Sequence, residues 1–163
     1  NPALPVACGQ RIADTSLRGE WLPAGEPAPH PVPLLGGGFM ALRRDTLDQI
    51  GAFDAGMPQW GAEDLELSLR CWLLGLEVWV VPAVTVRHYF RKANPYRVEV
   101  ASVTHNVLRV ALLHLSARRI ERVVNALKDR PEFGKAMCIA SVRRGAIVLN
   151  SQHRVGTRAD AML

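Results

Sequence analysis

The sequence predicts an α+β fold: a few short strands in a small mixed sheet, helices packed on it, and a helical C-terminal region. Three observations predict it. The runs Phe39–Leu42 and Val78–Val81 are apolar or β-branched and have strand length. Leu65, Leu69, Trp72 and Leu73 recur at the spacing of one buried helical stripe. Beyond residue 100 helical spacing dominates, first through Val103, Val107, Val110 and Ala111, then through Ile120, Val123, Val124 and Leu127.

A chain of 163 residues is one domain's length, with room for a buried core. A hydrophobic content of 48% and a charged content of 21% are those of a soluble globular protein. The longest apolar stretches, Leu76–Val86 and Val107–Leu115, fall short of the roughly 18 residues that a membrane span needs. No signal-peptide pattern opens the chain, so a cytoplasmic location is expected. The first residue is Asn1 rather than Met, and the chain reads as a piece of a longer polypeptide.

The net charge is +5, with the basic residues concentrated after Arg87. Such a balance suits nucleic acid, an anionic surface or a phosphate-bearing substrate. Zinc-finger spacing, RNA-binding aromatic signatures and basic zippers are missing from the sequence, so a nucleic-acid partner is not expected. A phosphorylated small molecule fits the charge. Cys8, Cys71 and Cys138 are odd in number and far apart, which points to packing or surface residues in a reducing compartment.

Taken in order, residues 1–32 are rich in Pro and Gly and read as an extended lead-in, with a short strand near Val6. Trp21 and Leu22 are candidates to dock on the core, and His30 reads as a solvated loop residue. Gly36, Gly37 and Gly38 follow, then the strand expected over Phe39–Leu42. This triple glycine lacks the spacing of a phosphate-cradling loop. It marks either a simple turn or a place where a ligand or another backbone comes close.

Asp45 to Gly51 reads as a short helix, with Asp45 as N-cap and Gly51 as stop. A loop rich in breakers, Phe53 to Trp60, leads into a helix over Ala62 to Leu74 that Gly75 ends. Glu63, Glu66 and Arg70 share a second face of that helix. A strand over Val78–Val81 closes at Pro82, and a second strand, Thr85 to Tyr89, is expected to carry His88. A basic, turn-prone loop follows through Arg91, Lys92 and Arg97. Helices are expected over Ser102–Leu115, Arg118–Lys128 and Phe133–Leu149, and a polar tail over residues 151–163.

Glu63, Asp64 and Glu66 carry two readings. Acids in a first helical turn complement the macrodipole, at about 0.3–1 kcal/mol each. Equally, a carboxylate here can serve as general base for an attacking hydroxyl. His88 at a strand end is either structural or a ligand for a divalent ion, which would neutralise a diphosphate leaving group. The basic loop is either solvated or steadies that diphosphate.

The order of these pieces is informative. Gly37-Gly38-Phe39-Met40-Ala41-Leu42-Arg43-Arg44, then Ile50-Gly51-Ala52-Phe53-Asp54, then Trp60-Gly61-Ala62-Glu63-Asp64-Leu65-Glu66, then Arg87-His88-Tyr89-Phe90-Arg91-Lys92-Ala93-Asn94-Pro95-Tyr96 resembles the second half of the catalytic domain of polypeptide N-acetylgalactosaminyltransferases and of bacterial family 2 glycosyltransferases. The likeness spans roughly residues 33 to 112 and extends to Asn106 and Arg109. It implies the C-terminal half of a GT-A domain. Residues 33–100 would be its acceptor and metal side, and residues 101–150 its helical end.

The resemblance further implies a nucleotide-sugar donor, UDP-sugar above all, a hydroxyl acceptor, and a divalent metal, usually Mn²⁺. Carried over by position, His88 looks like the metal ligand. Trp60 and Glu63 look like sugar-pocket residues, Arg91 and Tyr96 like members of a flap over the diphosphate, and Gly37 and Gly38 like the lining of the sugar site. Asn94 stands where the first family commonly has His, which puts its diphosphate contacts in doubt. Asp64 stands where the retaining enzymes have Asn. The Glu63-Asp64 pair is the pattern of the inverting ones, with Asp64 as base. A nucleotide-binding N-terminal half with an acidic metal motif is then expected as a missing partner. Two rival readings follow: a split or excised transferase, inactive alone, or a degenerate non-catalytic module that binds a partner or glycan. An orphaned sheet edge would favour a homo-oligomer.

Overall fold

The computed structural model describes residues 6–89 and 93–142. The elements run β1 (Ala7–Ile12), β2 (Gly19–Pro23), β3 (His30–Pro31), α1 (Arg44–Ile50), α2 (Glu63–Leu73), β4 (Trp79–Val80), α3 (Val100–His114), α4 (Ala117–Leu127) and α5 (Phe133–Val142). The α+β class stands. Where a mixed sheet is expected, the strands form two antiparallel pairs, β1 with β2 and β3 with β4. A bridge between Gln10 and Leu34 joins the pairs through bonds of 3.1 and 3.0 Å.

The Pro/Gly-rich lead-in is more ordered than its composition suggests. β1 bends through an irregular register between Ala7 and Gln10, at Gly9 with φ +83°. A Cβ at Gly9 would stand 2.9 Å from Val32 Cβ, so the bend also lets β1 lie close on the next segment.

Two expected strands do not form. Phe39 is 64% exposed, while Met40 and Leu42 pack on the smaller core. Residues 84–89 run without regular structure and are exposed. A β-branched run becomes a strand only where an edge is available for pairing, and among the described residues Thr85–Tyr89 pairs with none. At α1, Arg43 takes the N-cap position and Asp45 sits in the first turn, bound to Arg43 at 2.6 Å.

α2 is the axis of the molecule. Leu65 and Leu69 enter the larger core with Leu34, Leu108, Val110, Ala111, Leu115, Val123, Leu127 and Ala136. Leu67 and Cys71 enter the smaller core with Val32, Ile50 and Val78. The helix is therefore buried on two sides, not along one stripe. Its end is a Schellman turn: Gly75 has φ +78° and Leu76 N–H donates to Cys71 O at 2.9 Å. Cys8 and Cys71 are buried, and burial raises the Cys71 thiol pKa. α3 packs on α2, α4 and α5. α5 is described to Val142, and the expected continuation to Leu149 and the polar tail lie outside the described residues.

Glu66 does not share an open face with Glu63. It is 2% exposed and accepts bonds from Arg70 at 2.7 Å and from His114 Nε2 at 2.8 Å. Arg70 also donates to Ile50 O and, at 3.0 Å, to Ala52 O, which ties the end of α1 to α2. Burial opposes the Glu66 charge, but the His114 and Arg70 bonds outweigh it and hold its pKa below the ordinary value.

Candidate active site

The triple glycine is where three elements meet. A Cβ on Gly36 would stand 2.8 Å from the Trp21 ring of β2. One on Gly37 would stand 3.1 Å from Asp64 Oδ2 at the start of α2. One on Gly38 would stand 2.8 Å from His88 Cδ2. None of the three has positive φ, so close approach rather than backbone freedom calls for glycine here. Asp64 and His88, 24 positions apart in sequence, thus flank neighbouring residues of one exposed turn.

Three side chains on one face of α2 hold that turn in place. Trp72 Nε1 donates to Pro33 O at 3.0 Å, Ser68 Oγ accepts the Leu35 N–H at 2.9 Å, and Asp64 Oδ2 accepts the Gly37 N–H at 3.1 Å. The spacing is four residues on the helix and two on the facing segment. Four helical residues advance about 6 Å and two strand residues about 6.6 Å, so the two ladders nearly match. Ser68 Oγ also donates to Asp64 O at 2.6 Å. Asp64 Oδ1 accepts the Leu65 N–H at 2.9 Å.

The entry to α2 is strained. Gly61 has φ +117° and Ala62, the N-cap residue, has φ 64°. A left-handed non-glycine residue costs on the order of 1–3 kcal/mol and persists only where its surroundings fix it. α3 supplies that constraint. Asn106 Nδ2 donates to Gln59 O at 2.9 Å and to Gly61 O at 2.8 Å. Arg109 grips Asp54 with two bonds, at 2.6 and 2.8 Å. A Cβ on Gly56 would lie 2.1 Å from Arg109 Cζ, so glycine is required there too. Burial opposes the Asp54 charge, but Arg109 and the Gly56 N–H overcome it and lower its pKa.

Each expected site residue can now be placed. Asp64 is half-buried and His88 exposed, and both reach the glycine turn. Glu63 Oε2 accepts the Gly61 N–H at 2.6 Å, so it fixes the strained entry. Trp60 and Tyr96 are each 56% exposed. Gln59, beside Trp60, accepts the Glu99 N–H at 2.9 Å, which brings the two loops together. Arg91 lies outside the described residues. Among the described residues no three His, Cys, Asp or Glu side chains converge as a metal cage. No helix among them is long and apolar enough to cross a membrane. Ser68, Trp72 and Gly56 escaped the sequence reading as site supports. Their signal was positional: Ser68 and Trp72 follow Asp64 at helical spacing.

Residues 28–94 match a family described as the N-terminal domain of galactosyltransferase. Polypeptide N-acetylgalactosaminyltransferase 11 of Xenopus tropicalis is 40% identical over 91 residues, 55% of this chain and 15% of that protein. Polypeptide N-acetylgalactosaminyltransferase 8 of Drosophila melanogaster is 44% identical over 68 residues, 42% of this chain and 12% of that protein. An inactive polypeptide N-acetylgalactosaminyltransferase-like protein 5 of Macaca fascicularis is 38% identical over 89 residues, 54% of this chain and 20% of that protein. The chain thus spans a fifth or less of the length of these relatives.

One expectation is overturned. The resemblance placed this region in the C-terminal half of a transferase domain, whereas the matching family is described as an N-terminal domain. Order and spacing of motifs identify what a segment is like but carry no measure of its position in a longer chain. These relatives are also animal proteins, not bacterial ones. What stands is the family-level relation: the relatives of this chain are named as glycosyltransferases, one of them as an inactive one.

Proposed function

We propose that this chain contributes the acceptor side of a glycosyltransferase site. The enzyme would move a hexose or N-acetylhexosamine from a UDP-sugar to a hydroxyl acceptor. The observation that carries the reading is the pairing of Asp64 with Gly37 and of His88 with Gly38 on one exposed turn. Asp64 takes the acceptor hydroxyl proton as that oxygen bonds to the anomeric carbon and the bond to the diphosphate breaks. A base on the acceptor side suits inversion. Glu63 keeps Gly61 in place, and Trp60 offers an exposed aromatic face to the sugar. Tyr96 stands on the neighbouring loop as a diphosphate contact.

His88 presents an exposed imidazole beside Gly38, a donor suited to a divalent ion such as Mn²⁺. Such an ion, when bound, offsets the charge of the leaving diphosphate. Since no three His, Cys, Asp or Glu side chains converge among the described residues, further positions on the ion would fall to phosphate oxygens and water.

Transfer from UDP-sugar, measured for the wild type and for Asp64→Asn, tests the reading. Asn keeps an acceptor for Gly37 N–H but cannot take a proton, so the rate should fall about 10²–10⁴-fold. A near-normal rate removes Asp64 from the base role. It would favour the second reading, a non-catalytic module that binds a partner or glycan. One observation supports that alternative: both Asp64 oxygens already accept backbone bonds.

A further inference from the structure

We infer that Asn106, a residue of α3 outside the proposed chemistry, sets the pose of Trp60 and thereby governs donor-sugar recognition; this rests on the transferase reading. Its side chain is fully buried, yet the loop it holds presents a half-exposed indole. Both protons of one amide nitrogen are used, one on the carbonyl before Trp60 and one on the carbonyl after it. Two carbonyls that converge on a single nitrogen fix the backbone through the residue between them. The amide nitrogen offers two donors on one atom, where the isosteric Asp and Leu side chains offer none.

The rest of the face acts in the same direction. Val103, one turn earlier, would stand 3.0 Å from a Cβ on Gly61 and so closes the space behind that residue. Arg109, one turn later, anchors the far end of the loop at Asp54. Glu99 N–H holds the Gln59 side chain from the start of α3. Residues 54–61 are therefore held at both ends, by Arg109 at Asp54 and by Asn106 through Gln59 and Gly61. Glu63 and Ala62 inherit its geometry, since Gly61 is held by Asn106 through its carbonyl and by Glu63 through its N–H. Asn106 touches no reacting atom and is a positioning residue.

The test uses the whole chain labelled with 5-fluorotryptophan, with the Trp60 resonance assigned through Trp60→Phe. Asn106→Asp removes both donors at constant shape. The Trp60 resonance should shift and broaden, and kcat/KM for UDP-sugar should fall about 100-fold, carried by KM rather than kcat. Asn106→Gln keeps the donors and should recover part of both changes. An unmoved Trp60 resonance in a folded Asn106→Asp chain overturns the assignment. So does an unchanged KM for UDP-sugar, or a Gln variant no better than the Asp one. Should Asn106→Asp fail to fold, Asn106→Gln against Asn106→Ser gives the same comparison. If the wild type turns over no donor at all, the transferase reading falls, and the Trp60 resonance alone still decides the positioning role.

Discussion

Gly37 donates its N–H to Asp64 Oδ2 across 3.1 Å, and this bond fixes the glycine turn against the first turn of α2. The carboxylate proposed as base is therefore also a structural clasp. Substitutions around it separate the two duties.

Gly38→Ala should weaken Mn²⁺ binding while leaving the fold intact. The new methyl would meet His88 Cδ2 at 2.8 Å, so the ring has to shift from its place beside the turn. A displaced ligand should cost about tenfold or more in metal affinity. Mn²⁺ titration monitored by electron paramagnetic resonance, alongside thermal melting, checks both halves. Gly36→Ala meets the far edge of the Trp21 ring at 2.8 Å, and since that ring is 51% exposed it can shift, so little stability should be lost.

Ser68→Ala should destabilise by about 1–3 kcal/mol, because it strips the partner from Leu35 N–H beside a fully buried position. Urea unfolding of the wild type and the variant reads this directly. A loss under 0.5 kcal/mol would show that the contact with segment 33–37 is incidental.

Asp54→Ala should cost about 3–5 kcal/mol, since Arg109 is 1% exposed and would lose its counter-ion. Replacing both partners by apolar residues, Asp54→Leu with Arg109→Met, should cost much less than the single change. A double-mutant cycle in urea tests the pair, and additive losses would contradict the coupling.

Acid should loosen the α1–α2–α3 interface first. Asp54 and Glu66 have folded pKa values below the ordinary 3.8 and 4.5. Their contribution is thus full above pH 4.5 and is lost as pH falls through the depressed folded values. Unfolding free energy should be level near neutrality and drop as the pH falls below about 4.5. Glu66→Gln, which cannot titrate, should flatten that drop.

Periodicity made much of the helical framework legible. Leu65 and Leu69 reach the core as their spacing requires, and the boundaries of α2, α3 and α4 fall within two residues of those expected. The approach of Asp64 and His88 to one place was legible only from the order of motifs, because a separation of 24 positions carries no distance information. Contacts made in tertiary structure were not legible. Glu66 looks solvated on a helical wheel, yet His114 lies 48 positions away and buries it. The β1–β2 hairpin hid under a Pro/Gly-rich composition because its register depends on a bend at Gly9 that no alternation pattern records.

The lacing of α2 to segment 33–37 has a definite reach. Turn and pleat differ by about 0.6 Å at every rung, so the two drift out of step as the rungs accumulate. The contacts run from Trp72 to Asp64 and stop at Gly37, where the chain leaves the helix and turns. A single residue inserted between Pro33 and Gly37 would rotate the pleat by half a period and present the wrong edge to the rungs beyond it. Length in this stretch is therefore as constrained as composition, and a deletion there would uncouple Asp64 from His88 without touching either side chain.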